Sequence, residues 1–253
     1  MNPSPYPAPF NSAHGRASIV KILLIACAIV AGVSLFAETL SLAFPITDDQ
    51  ELDDNPIGAL VMLIVFLVGL FQTMLYLTTV VFFAVWLYRA NGNLRAFNPW
   101  ARPEHSSGWA VGSFFVPFIN LVVPYRAVKE VWQKSGTPDE SLLAAPSPPG
   151  WFPAWWAFWL LAGFSGNISL RLSFNENISL STATIVSIIA NALFVVASVF
   201  AYFVVDAIDK RQEETIAKLK LGRFAGPPPP PADLARSDVL APTASSVSSQ
   251  QSG

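Results

Sequence analysis

Charge, cysteine and histidine are all scarce in this chain of 253 residues. Only 13% of the residues are charged, where an ordinary soluble domain carries about 25%, and this excludes a conventional soluble globular fold. The 15 Lys and Arg against 17 Asp and Glu leave no basic excess to neutralise a phosphate backbone, so no nucleic acid is expected as a partner. One Cys and two His offer almost nothing to a metal ion, and no cofactor is expected. Cys27 alone cannot close an internal disulfide. No set of acid, base and nucleophile stands out, so an enzyme is not expected.

What is present is hydrocarbon, at 53% of residues. Four stretches, at about 22–44, 57–88, 151–170 and 182–205, approach or exceed the roughly 20 helical residues that cross a bilayer. They predict an all-α polytopic membrane protein with four transmembrane helices. The second run would be about 48 Å long as a helix, so it must tilt or project beyond a hydrocarbon layer of about 30 Å. A fifth apolar stretch, Trp109 to Val123, is broken by Pro117, Asn120 and Pro124. Proline removes an amide donor and clashes with the preceding turn, so residues 108–134 are read as a re-entrant or interfacial hairpin on the cytoplasmic side. The membrane domain covers 19–221, with Asp206 to Leu221 as a cytosolic extension of the last span. The Pro-rich segment 1–18 and the Pro/Ser-rich segment 222–253 are read as disordered tails.

Positive charge orients the chain. With four spans, 14 of the 15 Lys and Arg share one face, leaving Arg171 opposite. Both termini are therefore expected in the cytoplasm. The loop Pro45 to Pro56 then faces outward with Asp48, Asp49, Glu51, Asp53 and Asp54. It lacks the glycine and spaced glutamate of an EF-hand, so only weak cation attraction is expected of it. All eight Trp lie between Trp86 and Trp159, which suggests an inner-face aromatic belt.

The residues that carry a family resemblance lie in the same region. Trp86, Arg89, Ala90, Asn93 and Leu94 are followed by Gly108-Trp109-Ala110-Val111-Gly112, then Phe115, Pro117, Asn120, Pro124 and Tyr125. Lys129, Glu130 and Trp132 come next, and Trp155, Trp156 and Trp159 later. This pattern resembles the bacterial membrane proteins grouped as domain of unknown function 4328, with Ser107 standing where proline is usual and Val123 where a basic residue is frequent. The resemblance implies a multi-pass protein of the bacterial inner membrane, and it brings no catalytic residues.

Candidate contacts follow from the hairpin. Pro117, Asn120, Pro124 and Tyr125 form its break, where Asn120 is expected to hydrogen-bond backbone groups freed by the prolines. Beyond it Arg126, Lys129, Glu130 and Gln133 recur at helical spacing against Tyr125, Val128 and Trp132, the pattern of an amphipathic helix. Arg89, Arg95, Arg126, Lys129, Trp109 and Trp132 are the candidate contacts to lipid or a partner protein, with Arg126 pairing Glu130 as the alternative. Gln72 and Asn191 are read as interhelical hydrogen-bonding groups, and Glu38 as snorkelling to its interface. Gly163-Phe164-Ser165-Gly166 is read as a small-residue packing site. The leading expectation is a non-catalytic scaffold or regulatory subunit whose partners are the bilayer and either another membrane protein or a second copy. The alternative is a small-solute transporter or channel with the hairpin as its constriction.

The charge asymmetry makes a direct prediction. In a Cys27→Ser background, Ser12→Cys, Ser141→Cys and Ser245→Cys should resist an impermeant thiol reagent in intact cells, and Asp49→Cys should react. Labelling of Ser141→Cys from outside would establish five spans instead.

Overall fold

The computed structural model describes residues 9–44, 55–97, 103–136, 146–175 and 177–224. The acidic cluster Asp48 to Asp54, Trp100 and both outermost tails lie outside the described residues. Within them the ordered elements are all helical: α1 (His14–Ala43), α2 (Pro56–Gly92), α3 (Leu94–Phe97), α4 (Ser107–Gly112), α5 (Val123–Lys134), α6 (Trp151–Ser173) and α7 (Leu180–Phe224). Two single 3-10 turns, Ser113–Phe115 and Ile119–Leu121, join α4 to α5.

The α1 seam is set by residue size and spacing. Ala17, Val20, Leu24, Cys27, Ala31, Ser34 and Glu38 are buried, in alternating steps of three and four that place them on one stripe of a helix. On α7, Ala183, Ala190, Ala197 and Val204 recur at seven-residue steps, with Ala201, Ile208 and Thr215 on the same stripe. Small side chains let the two backbones approach closely. The helices run antiparallel: Lys21 Nζ meets Asp206 Oδ1 at 3.0 Å near one end, and Asn191 Nδ2 meets Glu38 Oε2 at 3.0 Å near the other.

α7 also packs along α6, and α1 along α2, giving the lateral order α6, α7, α1, α2. Ser169 donates to the Ala183 carbonyl at 3.0 Å across the α6–α7 pair. Asn55 caps α2 by accepting from the Gly58 amide at 2.9 Å, with Pro56 in its first turn. The half of α2 remote from α4 is apolar on all sides and exposed at Leu60, Leu63, Phe66, Leu67 and Phe71, as expected of a helix in hydrocarbon rather than water.

Among the described residues three stretches of helix are long and apolar enough to cross a membrane: His14–Ala43, Pro56–Phe97, which takes in α3, and Leu180–Lys220. The fourth expected span, 151–170, is not among them. α6 is a 23-residue helix, but its four Trp, together with Pro153, Asn167 and Arg171, dilute its hydrocarbon. The last apolar run and its polar extension form one unbroken helix, α7, of 45 residues. Order begins earlier at the N-terminus than composition suggests, because Ala13 is buried and Phe10 packs on Phe97 at 5.6 Å between ring centres.

The tightest core lies at the end of the bundle that carries α4 and α5, hereafter the hairpin end. Trp86, Leu87, Phe97, Phe152, Val128, Val204 and Ile208 are fully buried there. Trp86, Trp155 and Trp156 belong to this core, which corrects the reading of the tryptophans as a belt: three of the indoles face protein, not an interface.

Candidate functional site

The hairpin is built from local rules and then fixed by two side chains. Ser106 caps α4, its hydroxyl accepting from the Trp109 amide at 3.2 Å. The chain then turns through extended Val116, Pro117 and Phe118, whose φ is 62°. The carbonyls around the prolines find partners without the Asn120 side chain: Ile119 N donates to Pro117 O at 2.7 Å and Asn120 N to Val116 O at 2.9 Å. Trp156 Nε1 reaches across from α6 to donate to Leu121 O at 2.8 Å. Among the described residues the Asn120 side chain makes no hydrogen bond, so the role expected of Asn120 is filled by backbone amides and Trp156. Pro124 is buried in the first turn of α5, and Tyr125 packs against the core.

Glu130 is the second tie. It is 6% exposed, and its Oε2 accepts from His105 Nδ1 at 2.8 Å and from the His105 amide at 3.2 Å. Its Oε1 accepts from Lys134 Nζ at 2.6 Å and from the Glu104 amide. The carboxylate therefore staples the strand of chain before α4 to α5, and the alternative pairing of Arg126 with Glu130 is not formed. Burial alone would raise its pKa, but the Lys134 ammonium, His105 and the Glu104 amide outweigh it and hold the carboxyl below the usual range.

Those ties leave cations outside. Arg95 and Arg126 are exposed and Arg89 and Lys129 half-buried, and none of the four joins an ion pair among the described residues. Trp109 is 43% exposed, whereas Trp132 turns inward, its ring 5.7 Å from Phe152 and 4.8 Å beneath the Arg211 guanidinium. The hairpin tip is apolar and open: Phe115, Val122 and above all Phe118, at 86% exposure, project from it.

Asn93, singled out only by the family pattern, ends α2 inside a polar knot. Its Nδ2 donates to the Asn11 carbonyl at 2.9 Å and to Gln212 Oε1 at 3.2 Å. Gln212 Nε2 in turn donates to Ala90 O at 2.9 Å and Ser135 Oγ at 3.0 Å. The N-terminal segment, α2, the end of α5 and α7 thus meet at one pair of amides.

A second polar chain crosses the apolar part of the bundle. Asn191 Nδ2 donates to both oxygens of Glu38, at 3.1 and 3.0 Å, and Ser187 donates to Glu38 Oε1. Asn191 Oδ1 accepts from Gln72 Nε2 at 2.8 Å, and Ser34 donates to Gln72 Oε1. Gln72 and Asn191 are interhelical groups, as expected. Glu38 is not snorkelling: it is 8% exposed and bonded inward. Sequence reading missed this because a polar residue's partner depends on register, although the three-four spacing of small residues in α1 carried that signal.

Residues 53–210 match the family model described as Domain of unknown function (DUF4328). That span holds α2 to the inner part of α7, including Trp86, Asn93, Glu130, Trp155 and Trp156. No curated protein and no solved structure matches the chain.

The Glu38 network and the Glu130 staple are each open to a test. Asn191→Leu strands the Gln72 amide and the Glu38 carboxyl together and should cost more than about 2 kcal/mol, against about 1 kcal/mol for an ordinary interhelical polar contact. Asn120→Leu should stay within about 0.5 kcal/mol; denaturant unfolding in detergent compares them. Because Glu130 has a depressed folded pKa, its stabilisation is complete above the unfolded value of about 4.3 and is lost as pH falls through the folded value. Thermal unfolding from pH 7 to 3 should show this loss, and Glu130→Gln should remove it while lowering stability at pH 7.

Proposed function

The chain belongs to the DUF4328 family, and from that premise we propose that it is a non-catalytic scaffold or regulatory subunit of the bacterial inner membrane that engages anionic lipid through the hairpin. In this reading α6 crosses beside α7 as a fourth span, both termini are cytoplasmic and the hairpin end faces inward. The exposed apolar side chains Leu161, Phe164, Ile168 and Leu170 along α6 support that crossing.

The observation that carries the proposal is the hairpin tip. Phe118 holds a positive φ, a conformation that costs a bulky residue about 1–3 kcal/mol, and it holds it while almost wholly exposed. Such an apolar projection on a fixed base belongs in the acyl boundary of an interface. Phe114 packs on Phe83 at 5.9 Å, and Arg89 follows six residues later, about 9 Å along the helix. Phe114, at the base of the tip, therefore lies one to two turns deeper than the α2 cation Arg89, which suits a wedge at the interface rather than a loop to mid-membrane. The free cations Arg89, Arg95, Arg126 and Lys129 suit phosphate-bearing heads, each contributing about 1 kcal/mol near an anionic surface. No acid, base or nucleophile set is assigned, so the reading remains non-enzymatic.

A second reading, transport of a small solute, is favoured by one observation. Glu38 has no cationic partner among the described residues, and intramembrane carboxyls commonly mark ion pathways. Uptake into liposomes containing purified protein separates it from the first.

For the leading reading, native mass spectrometry should find phosphatidylglycerol retained on the detergent-purified protein in preference to phosphatidylcholine. Arg126→Gln with Lys129→Gln should weaken that retention by more than about ten-fold at low salt, and the difference should shrink at high salt. Phe118→Ser should weaken retention of both lipids. Equal retention by all variants, at unchanged melting temperature, rejects lipid engagement by the hairpin.

A further inference from the structure

Glu38 is the one charged residue of α1 beyond Lys21, and Lys21 lies about 26 Å away along the helix. The helices packed on Glu38 bring no opposite charge to it. α2 has no charged residue before Arg89, and α7 has none before Asp206. On α2 the titratable group next along is Tyr76, one turn from Gln72, and its ring turns to Phe194. Cys27, three turns away on α1, is engaged with Thr79. Arg171, on α6, is exposed.

What surrounds the carboxyl instead is a relay of hydrogen bonds that all point toward it. Ser34 donates to Gln72 Oε1, Gln72 Nε2 to Asn191 Oδ1 at 2.8 Å, and Asn191 Nδ2 to both Glu38 oxygens, at 3.1 and 3.0 Å. Ser187 donates to Glu38 Oε1 as well. Ser34 and Glu38 stand one turn apart, so the relay leaves α1, passes through α2 and α7, and returns. This is the arrangement of an ionised carboxylate, which can only accept. It does not suit a metal ion, which takes oxygen ligands, because Asn191 turns its nitrogen to the carboxylate and the side-chain oxygens of Asn191 and Gln72 are both taken.

Run backwards, the same relay is equally complete. Once both amides turn over, a protonated Glu38 donates to Asn191 Oδ1, Asn191 Nδ2 to Gln72 Oε1, and Gln72 Nε2 to Ser34 Oγ. Ser34 is then free to bond the Val30 carbonyl four residues earlier, as Thr39, Thr73, Thr78 and Thr184 bond theirs. Ser187 keeps its place, because the Ala183 carbonyl behind it already accepts from Ser169 Oγ and from the helix. Every link therefore keeps a partner in either direction. The reversed form holds no charge in hydrocarbon, where an unpaired one is costly.

We propose that Glu38 binds a proton reversibly and that its uptake turns over the Asn191 and Gln72 amides, reversing the relay that ties α1, α2 and α7. The inference rests on the second reading above for its setting, a carboxyl within hydrocarbon, and it names the ion of that site. It needs no solute to move: liposomes that show no uptake would reject transport and leave this titration standing.

Full-length protein in phosphatidylcholine nanodiscs should be stepped across about pH 4 to 9 and followed by infrared difference spectroscopy. A neutral carboxyl band should appear reversibly on acidification together with a shift of side-chain amide bands, and Glu38→Gln should remove that pair of changes. Gln72→Met should shrink the amide shift and leave the carboxyl band. Dicyclohexylcarbodiimide reads the same site without any substitution. It reacts with a protonated carboxyl, whose oxygen bonds to the central carbon of the reagent while the acid proton passes to a reagent nitrogen. By peptide mass spectrometry, labelling of Glu38 should fall more than about ten-fold from the acid to the alkaline end. The proposal is overturned if Glu38 is labelled equally at both ends or at neither, or if the carboxyl band comes without the amide shift. It is equally overturned if sodium, but not choline, suppresses the labelling at constant pH, because a metal ion then competes for the carboxylate.

Discussion

A slip of one residue between α1 and α7 would carry Glu38 about 1.5 Å along the axis and rotate it about 100° out of the seam. It would then face α2 or lipid, and Asn191 would be left donating to nothing. The same slip would separate Lys21 from Asp206 at the other end. Two polar rungs, one charged and one amide to carboxylate, thus hold the register of helices whose apolar side chains alone would tolerate several. The position of every other element depends on this pair, because α6 packs chiefly on α7 and α2 chiefly on α1.

At the hairpin end the logic is different. There the polar groups act as closures rather than as register marks. Gln212 gathers the ends of α2 and α5, Asn93 adds the N-terminal segment, and Glu130 fastens the chain before α4. The family-pattern residues Trp86, Asn93, Glu130, Trp155 and Trp156 are all buried in this layer. Their common property is that they build the platform on which Phe118 and the free cations stand.

The sequence made legible whatever depends on composition along the chain: the all-helical fold, the proline break between α4 and α5, the polar extension of α7, and Gln72 and Asn191 as groups that bridge helices. It concealed whatever depends on which of two equivalent neighbours is chosen. Glu130 has Arg126 four residues before it and Lys134 four after, and spacing cannot distinguish them; His105, 25 residues away, decides it by approaching from the α4 side. Tryptophan at a given depth serves an interface or a core equally well, and only packing showed Trp86 and Trp155 to be core. Asn120 is polar and adjacent to the break, and the sequence points to it for that reason alone. The carbonyl that needed an outside donor was satisfied instead by Trp156, a residue 35 positions later. For the same reason Glu38 looks solitary in the sequence, although its partners lie on the last helix.

α7 runs without a break from Leu180 to Phe224, and its hold on Glu38 sits near one end of that length. From Asn191 to Phe224 is about 50 Å of continuous helix. The same helix is held again at Asp206 by Lys21 and at Gln212 by Asn93, Ala90 and Ser135. Asn191 and Gln212 stand about 31 Å apart along it, so a tilt of about 5° about Asn191 would carry Gln212 through about 3 Å, enough to part every one of those bonds. The two polar ends thus act as a clamp: the helix cannot rock on one without letting go of the other.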